Sequence, residues 1–405
     1  MKNFEKSKKL NNVHYEIRGN VMVEADNMIK NNINVLKLNI GNPATFGFKA
    51  PDNLINKIFK NMDKAQGYSV SQGIYEARIE IKKYCNSKNI SNIDINDIYL
   101  GNGVSELILM SMQGLLNKGD EILIPSPDYP LWTAAATLAG GNVVHYKCEE
   151  LLDWNPDTDD IKRKITSRTK AIVIINPNNP TGALYSRDVL NEIVDIARKN
   201  NLLIFSDEIY DRLVMDKLEH ISIASLAPDL CVITFNGLSK SHMIAGLRIG
   251  WMCISGDKSH VKNYIEGIKL LSSMRLCSNV PAQFAVKEAL QNKEYTQQYL
   301  KPGGRIYEQR EEIYTALNKI DGISVIKPKA AFYIFPKIDT NKFNIKDDEK
   351  FALDFLKAKK ILFTHGTGFN WTKPDHFRIV YLPEKEVLKE AMQELSDFLR
   401  DYRQI

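Results

Sequence analysis

Cysteine is scarce in this chain of 405 residues: five, an odd number, scattered and without a C-x-x-C pair. That usage argues against a disulfide framework and for reduced thiols in a cytosol. No apolar run approaches the roughly 18 residues that a membrane span requires. The opening MKNFEKSKKLNN has neither an apolar h-region nor an Arg/Ser-rich amphipathic pattern, so no targeting segment is expected. There is no GxxxxGK followed by Ser or Thr, which argues against nucleoside triphosphates, and the seven histidines show no HExxH or similar spacing, so no metal is expected. Repeats and low-complexity tracts are missing. Charge of either sign is barely in excess, +5 from 54 basic and 49 acidic residues. The densest basic group near the N-terminus, Lys6, Lys8 and Lys9, reads as a solvated arm, not a nucleic-acid surface. These absences leave a soluble cytoplasmic protein with no nucleic-acid or membrane partner.

What is present is an ordinary globular composition, 44% hydrophobic and 25% charged, enough for a sizeable core. The middle of the chain alternates short apolar runs with helical patterns, the signature of βαβ units. The runs are IYL (98–100), EILI (121–124), NVVHYK (142–147), AIVIIN (171–176), LLIFS (202–206), VITF (232–235) and RIGWMCI (248–254). They are near-continuously apolar, which suits a mostly parallel seven-stranded sheet flanked by helices. Residues 50–290 would form this large α/β domain, and residues 1–49 with 291–405 a smaller α/β domain. The stretch YLKPGGRIYEQREEIYTAL is expected to start a long connecting helix.

Ligands of open α/β sheets bind outside the carboxyl ends of the strands. Four strand ends here carry unusual polar chemistry: Gly101-Asn102-Gly103-Val104-Ser105, Pro177-Asn178-Asn179-Pro180-Thr181-Gly182, Asp207-Glu208-Ile209-Tyr210 and Asn236-Gly237-Leu238-Ser239-Lys240. Each has a plain alternative. GNGVSE fails as a dinucleotide fingerprint because Glu106 occupies the third glycine position, though a helix start there still offers N–H groups to a phosphate. NPNNPTG reads as a turn on its own. Asp207 could be a helix N-cap, and Tyr210 shares its face if a turn follows. Arg248 could be a structural ion-pair partner.

Together they fit one chemistry. A lysine in a dry site can form a Schiff base with a carbonyl. Pyridoxal phosphate needs such a lysine, a cation with helix N–H groups for its phosphate, and an acid beside its ring nitrogen. Lys240, Arg248 with Val104 and Ser105, and Asp207 answer those needs. Asn179 and Tyr210 could bond the ring hydroxyl oxygen, and Tyr129 in PSPDYP could stack on the ring.

The chain resembles the fold type I, class I pyridoxal phosphate-dependent aminotransferases. GLSKSHMIAGLRIG is similar to their lysine signature, and NNPTG and SDEIYDRL to their cofactor motifs, in the family's order. NNVHYEIRGNVMVEADNM, LKLNIGNPATFGF, GYSVSQGIYEAR, GNGVSELI, PSPDYPLW and HFRIVYLP resemble the alanine transaminase branch. The resemblance implies that Lys240 carries the cofactor and moves the proton between substrate Cα and cofactor C4′. It implies that Arg378 clamps the substrate carboxylate, that Gly41 and Asn179 touch substrate, and that Tyr15 and Arg18 close over it. Tyr68 would reach the phosphate of the neighbouring subunit, which implies a homodimer with shared sites. The implied reaction passes an amino group from alanine to 2-oxoglutarate, with amino acids and 2-oxo acids as the small-molecule partners. Two positions depart from the family pattern: Gly237 replaces a Ser or Thr that binds phosphate, shifting that task to Ser239 and Arg248, and Met243 is bulkier than usual. An aromatic or branched-chain aminotransferase or a β-lyase would use the same cofactor. A regulatory protein on this scaffold would need a DNA-binding module, for which too few residues precede the first motifs.

Overall fold

The computed structural model describes residues 2–13, 15, 19–292 and 294–405; the role expected of Arg18 falls outside the described residues. Seven strands form the main sheet: β1 Ile98–Asn102, β2 Glu121–Ser126, β3 Asn142–Lys147, β4 Thr169–Ile175, β5 Leu203–Asp207, β6 Val232–Gly237 and β7 Ile249–Ser255. Their order across the sheet is β1-β7-β6-β5-β4-β2-β3. β4, β5, β6 and β7 are buried almost end to end, which explains why they read as continuous apolar runs. All pairings from β3 through β6 are parallel, while β7 runs antiparallel to both β6 and β1. The carboxyl ends of the other six strands therefore share one rim, and β7 begins at that same rim.

Helices cover the sheet: α1 Tyr75–Ser87, and, where the helical patterns predict them, α2 Val104–Leu115, α3 Leu131–Leu138 and α4 Arg187–Asn200. Ser186 caps α4, its hydroxyl accepting from the Val189 N–H at 3.3 Å. The stretch at 299–317 departs from expectation. Only Arg305–Leu317 is helical, 13 residues long, and YLKPGG is a turn before it. Gly303 sits at φ +83°, a conformation that favours glycine, and a Cβ on Gly304 would lie 2.7 Å from the Tyr299 carbonyl carbon.

Three cores result. Two draw almost wholly on residues between 54 and 290, among them Ile174 in one and Trp132 in the other. The third joins residues 21–48 to 300–399, with Tyr210, Leu213 and Met243 reaching into it. No helix among the described residues is long and apolar enough to cross a membrane.

Ile174, fully buried in the interior strand β4, tests the packing. Ile174→Ala should lower the unfolding free energy by about 2–5 kcal/mol in denaturant titration. Leu151→Ala, at a position 96% exposed, should stay within about 0.5 kcal/mol of the parent.

Candidate active site

A cavity of about 560 Å³ opens at the rim where the strand ends meet. Its wall contains Lys240, Asp207, Tyr210, Asn179, Arg248 and Arg378, and also Val104, Ser105, Tyr129, Ser239, Gly41 and Tyr15. Tyr68 does not belong to it; that side chain is 81% exposed.

Lys240 lies in a single helical turn, Leu238–Ser241, directly after β6. Its ammonium donates to the Gly41 carbonyl at 2.7 Å. Gly237, just before, is extended and in register with Gly250 of β7. A Cβ there would sit 2.8 Å from the Ile249 carbonyl oxygen, which gives a packing reason for glycine where a hydroxyl side chain was expected. Met243, the other unusual residue, is buried at φ 59° in the third core, so its bulk is absorbed by packing.

Asp207 ends β5 with its carboxylate buried. One oxygen accepts from the Trp132 indole N–H at 3.1 Å and the other from the Ile209 N–H at 3.3 Å. No helix follows, so the carboxylate closes a turn instead of capping a helix. Burial pushes the Asp207 carboxyl up to about 6, against the pull of these two donors and of Lys240. Tyr210, three residues on, reaches the same cavity, and its hydroxyl is 2.8 Å from that of Tyr333. Burial lifts the Tyr210 phenol well above its ordinary value, so it is a neutral hydrogen-bonding group.

The reversed strand β7 delivers Arg248 to the rim beside the start of α2. Its guanidinium donates to the Asn102 carbonyl at 3.0 Å and to the Ala245 carbonyl at 2.8 Å. Gly103, at φ +81°, leaves room for it: a Cβ there would lie 2.8 Å from Arg248 Cζ. A Cβ on Gly250 would lie 2.6 Å from the Val104 nitrogen. The result is a helix start whose first N–H groups lack intrahelical acceptors, with a guanidinium at its side.

Across the cavity, Arg378 is buried between the rings of Tyr333 and Phe369, each centroid 4.5 Å from its guanidinium carbon. It donates to Asn179 Oδ1 at 2.8 Å and to the Asn39 carbonyl, and its Nε has no partner among the described residues. Burial lowers its affinity for a proton, the surrounding tyrosines opposing, but a guanidinium remains a cation. No carboxylate among the described residues pairs with it. Tyr15 and Tyr129 meet hydroxyl to hydroxyl at 3.2 Å on the cavity wall. Two residues of this site carried no readable signal. Tyr333 hides in the apolar run AAFYIF, and Trp132 reads as core in LWTAAATLA.

The raised carboxyl gives a pH test on ligand-free protein. Emission of Trp132 should change with a midpoint near 6, and Asp207→Asn should abolish that step. The folded value exceeds the roughly 3.9 of an unfolded aspartate, so the native state binds the extra proton. This group's contribution to stability therefore falls as pH rises from about 4 to about 6 and is level above. A ligand-free titration with no step removed by Asp207→Asn would contradict the assignment.

Comparison with known proteins gives the family. The family described as aminotransferase class I and II matches residues 33–395. The chain is 54% identical over 405 residues to glutamate-pyruvate aminotransferase AlaA of Escherichia coli (strain K12), covering all of both chains. It is 52% identical to alanine aminotransferase of Mycobacterium tuberculosis (strain ATCC 25618 / H37Rv), over 99% of this chain and 94% of that one. Among solved structures, an aminotransferase from Escherichia coli superposes with a TM-score of 0.99 at 54% identity over the full length of both. Alanine aminotransferase from Pyrococcus furiosus gives 0.93 at 41% identity, covering 98% of this chain and 100% of that chain. This chain belongs to the class I and II aminotransferases.

Proposed function

We propose that the protein is a pyridoxal phosphate-dependent aminotransferase that passes the amino group of alanine to 2-oxoglutarate, giving pyruvate and glutamate. The observation that carries this reading is the meeting, in one cavity, of an amine (Lys240), a buried carboxylate (Asp207) and a buried guanidinium with no carboxylate partner among the described residues (Arg378). The named activities of the full-length relatives favour alanine and glutamate as the substrate pair.

The residues fit the cofactor. Gly103 and Gly250 keep side chains away from the start of α2, leaving a cradle where the Val104 and Ser105 N–H groups, Ser239 and Arg248 would hold the phosphate. Asp207 would hold the ring nitrogen, and the proton it would otherwise retain up to about pH 6 could pass to that nitrogen. Tyr210 and Asn179 would bond the ring hydroxyl oxygen, and Tyr129 would flank the ring face. When bound, pyridoxal phosphate supplies an aldehyde carbon for Schiff-base chemistry and a ring that accepts the electron pair left on substrate Cα.

Lys240 would carry the cofactor between turnovers; displaced by the substrate amine, its Nζ would move the proton from Cα to the former aldehyde carbon. Arg378, its plane fixed by Asn179 and two aromatic rings, would clamp the α-carboxylate through N–H groups that include the unpartnered Nε. Gly41 would lie beside the substrate, where a side chain would collide with Tyr333. Tyr15 would cover the substrate from the N-terminal segment. The same residues serve both half-reactions, so the kinetics should be ping-pong.

The same reading makes the protein a cytoplasmic homodimer. Tyr68 is remote from its own cavity and solvent-facing, as a residue serving a neighbouring copy would be, and Phe59, Met62, Val70, Leu270 and Met274 are exposed apolar companions. It also divides the chain at about 50 and 290, which the separate cores support.

The deciding experiment is an absorbance spectrum of the purified protein. Alanine should convert the visible band, 2-oxoglutarate should restore it, and Lys240→Ala should do neither. Absence of alanine-dependent conversion would refute the substrate pair, and profiling with aromatic, branched-chain and cysteine-conjugate substrates would then identify the correct one. Arg378→Lys should raise KM for alanine by about 10- to 100-fold, the worth of one or two charge-assisted hydrogen bonds.

A further inference from the structure

The turn that ends β5 has two faces. Asp207 and Tyr210 point into the cavity. Glu208 and Asp211, one residue out of step with them, are buried and lie outside its wall. They enter a polar cluster behind the site. Asp211 Oδ2 accepts from Lys88 Nζ at 2.8 Å and from the Tyr84 hydroxyl. Both donors come from the end of α1. The Arg212 guanidinium lies 4.7 Å over the Tyr84 ring and donates to the Ala289 and Leu290 carbonyls at 3.3 and 3.4 Å. The Glu208 carboxyl is met by the Ser206 and Ser222 hydroxyls at 3.0 and 2.7 Å.

Lys88 has a second arm. Its Nζ lies 3.2 Å from His220 Nδ1, and His220 Nε2 lies 3.1 Å from the Asn176 carbonyl. Burial and the neighbouring Lys88 push His220 down to about 3, so the ring is neutral. One arrangement satisfies both ring nitrogens: Lys88 donates to Nδ1, and Nε2–H donates to Asn176. Asn176 is the residue where β4 turns toward Asn179. A single ammonium thus braces the backs of two neighbouring strand ends, one bearing Asp207 and Tyr210, the other Asn179, without touching the cavity.

We propose that Lys88 is a positioning residue for the transamination, fixing Tyr210 through Asp211 and Asn179 through His220. The idea rests on the cofactor reading above, so the parent protein is examined first: a parent without an alanine-sensitive visible band would fail that reading rather than this one. Removing Lys88 alone would strand a buried carboxylate and could unfold the chain. The informative variant is Lys88→Met with Asp211→Asn, which removes both charges and keeps their volumes. Its kcat for alanine should fall by about 10- to 100-fold, the scale of a small misplacement of reacting groups. KM should stay within about threefold, because the Asn39 carbonyl and the Tyr333 and Phe369 rings still hold Arg378 when Asn179 shifts. Two readouts that a merely stabilising pair would not move should move as well: the pH midpoint of the visible band, and the midpoint of Trp132 emission in ligand-free protein.

A folded double variant with unchanged kcat and unchanged midpoints overturns the proposal, as does a drop in Tm alone. A fall in kcat with both midpoints unmoved overturns it too, since the effect would then lie elsewhere. If the double variant does not fold, His220→Phe takes its place, cutting only the arm to Asn176 and sparing the ion pair. A lower kcat with a shifted band midpoint then supports the assignment, and parent-like values of both refute it.

Discussion

Three glycines stand in register where three strands cross the rim: Gly101 of β1, Gly250 of β7 and Gly237 of β6. A side chain at Gly250 would strike the Val104 nitrogen, and one at Gly237 would strike β7 itself. With hydrogen there instead, the start of α2 drops onto the sheet edge and the lysine turn follows β6 with no detour. The antiparallel sense of β7 adds the third part, because only a strand that begins at this rim can place Arg248 beside that helix start. The anion cradle and the lysine are thus consequences of one close backbone approach, and all else at the site is arranged around it.

Charge is distributed across the same turn in two ways. Behind it, two ions are matched, Lys88 with Asp211. In front, they are left unmatched. Asp207 has two neutral donors, and Arg378 has two amide-type acceptors and an orphan Nε. A buried charge without a partner costs stability unless something supplies its complement. A cationic ring nitrogen and an anionic carboxylate are the complements these two positions ask for. The imbalance is tolerated where the Lys88–Asp211 pair and the hydrogen bonds around it hold the backbone from the far side.

The sheet was legible because parallel strands buried on both faces must be apolar throughout, and the run from Leu203 to Ser206 could be little else. The strand-end chemistry was legible for the opposite reason: Lys240, Asp207 and Asn179 are polar residues that interrupt apolar sequence at a fixed place in each unit. The reversal of β7 was not, since RIGWMCI carries no mark of direction. The late start of the helix at Arg305 was underweighted even though Pro302, Gly303 and Gly304 announce it. Trp132 and Tyr333 were missed because an aromatic in an apolar run looks the same whether its polar atom meets solvent, core or a buried carboxylate. Only the fold tells these apart.

Tyr333 shows how the parts combine. Its hydroxyl meets Tyr210 from β5's turn, its ring lies on Arg378 from the C-terminal strands, and its oxygen occupies the space a side chain at Gly41 would need. One phenol therefore touches the three chain regions that must come together. Lys240, Asp207 and Arg248 belong to the main sheet and its turns, whereas Arg378, Tyr333 and Gly41 come from the segments packed around the third core. Cofactor-type contacts thus belong mainly to one body and carboxylate-type contacts mainly to the other. Small relative shifts of the two would change how a substrate is gripped while leaving the lysine, the buried acid and the anion cradle where they are. In the proposed reaction, that separation would suit a site that releases one acid and admits another in every cycle while the groups beneath them stay in place.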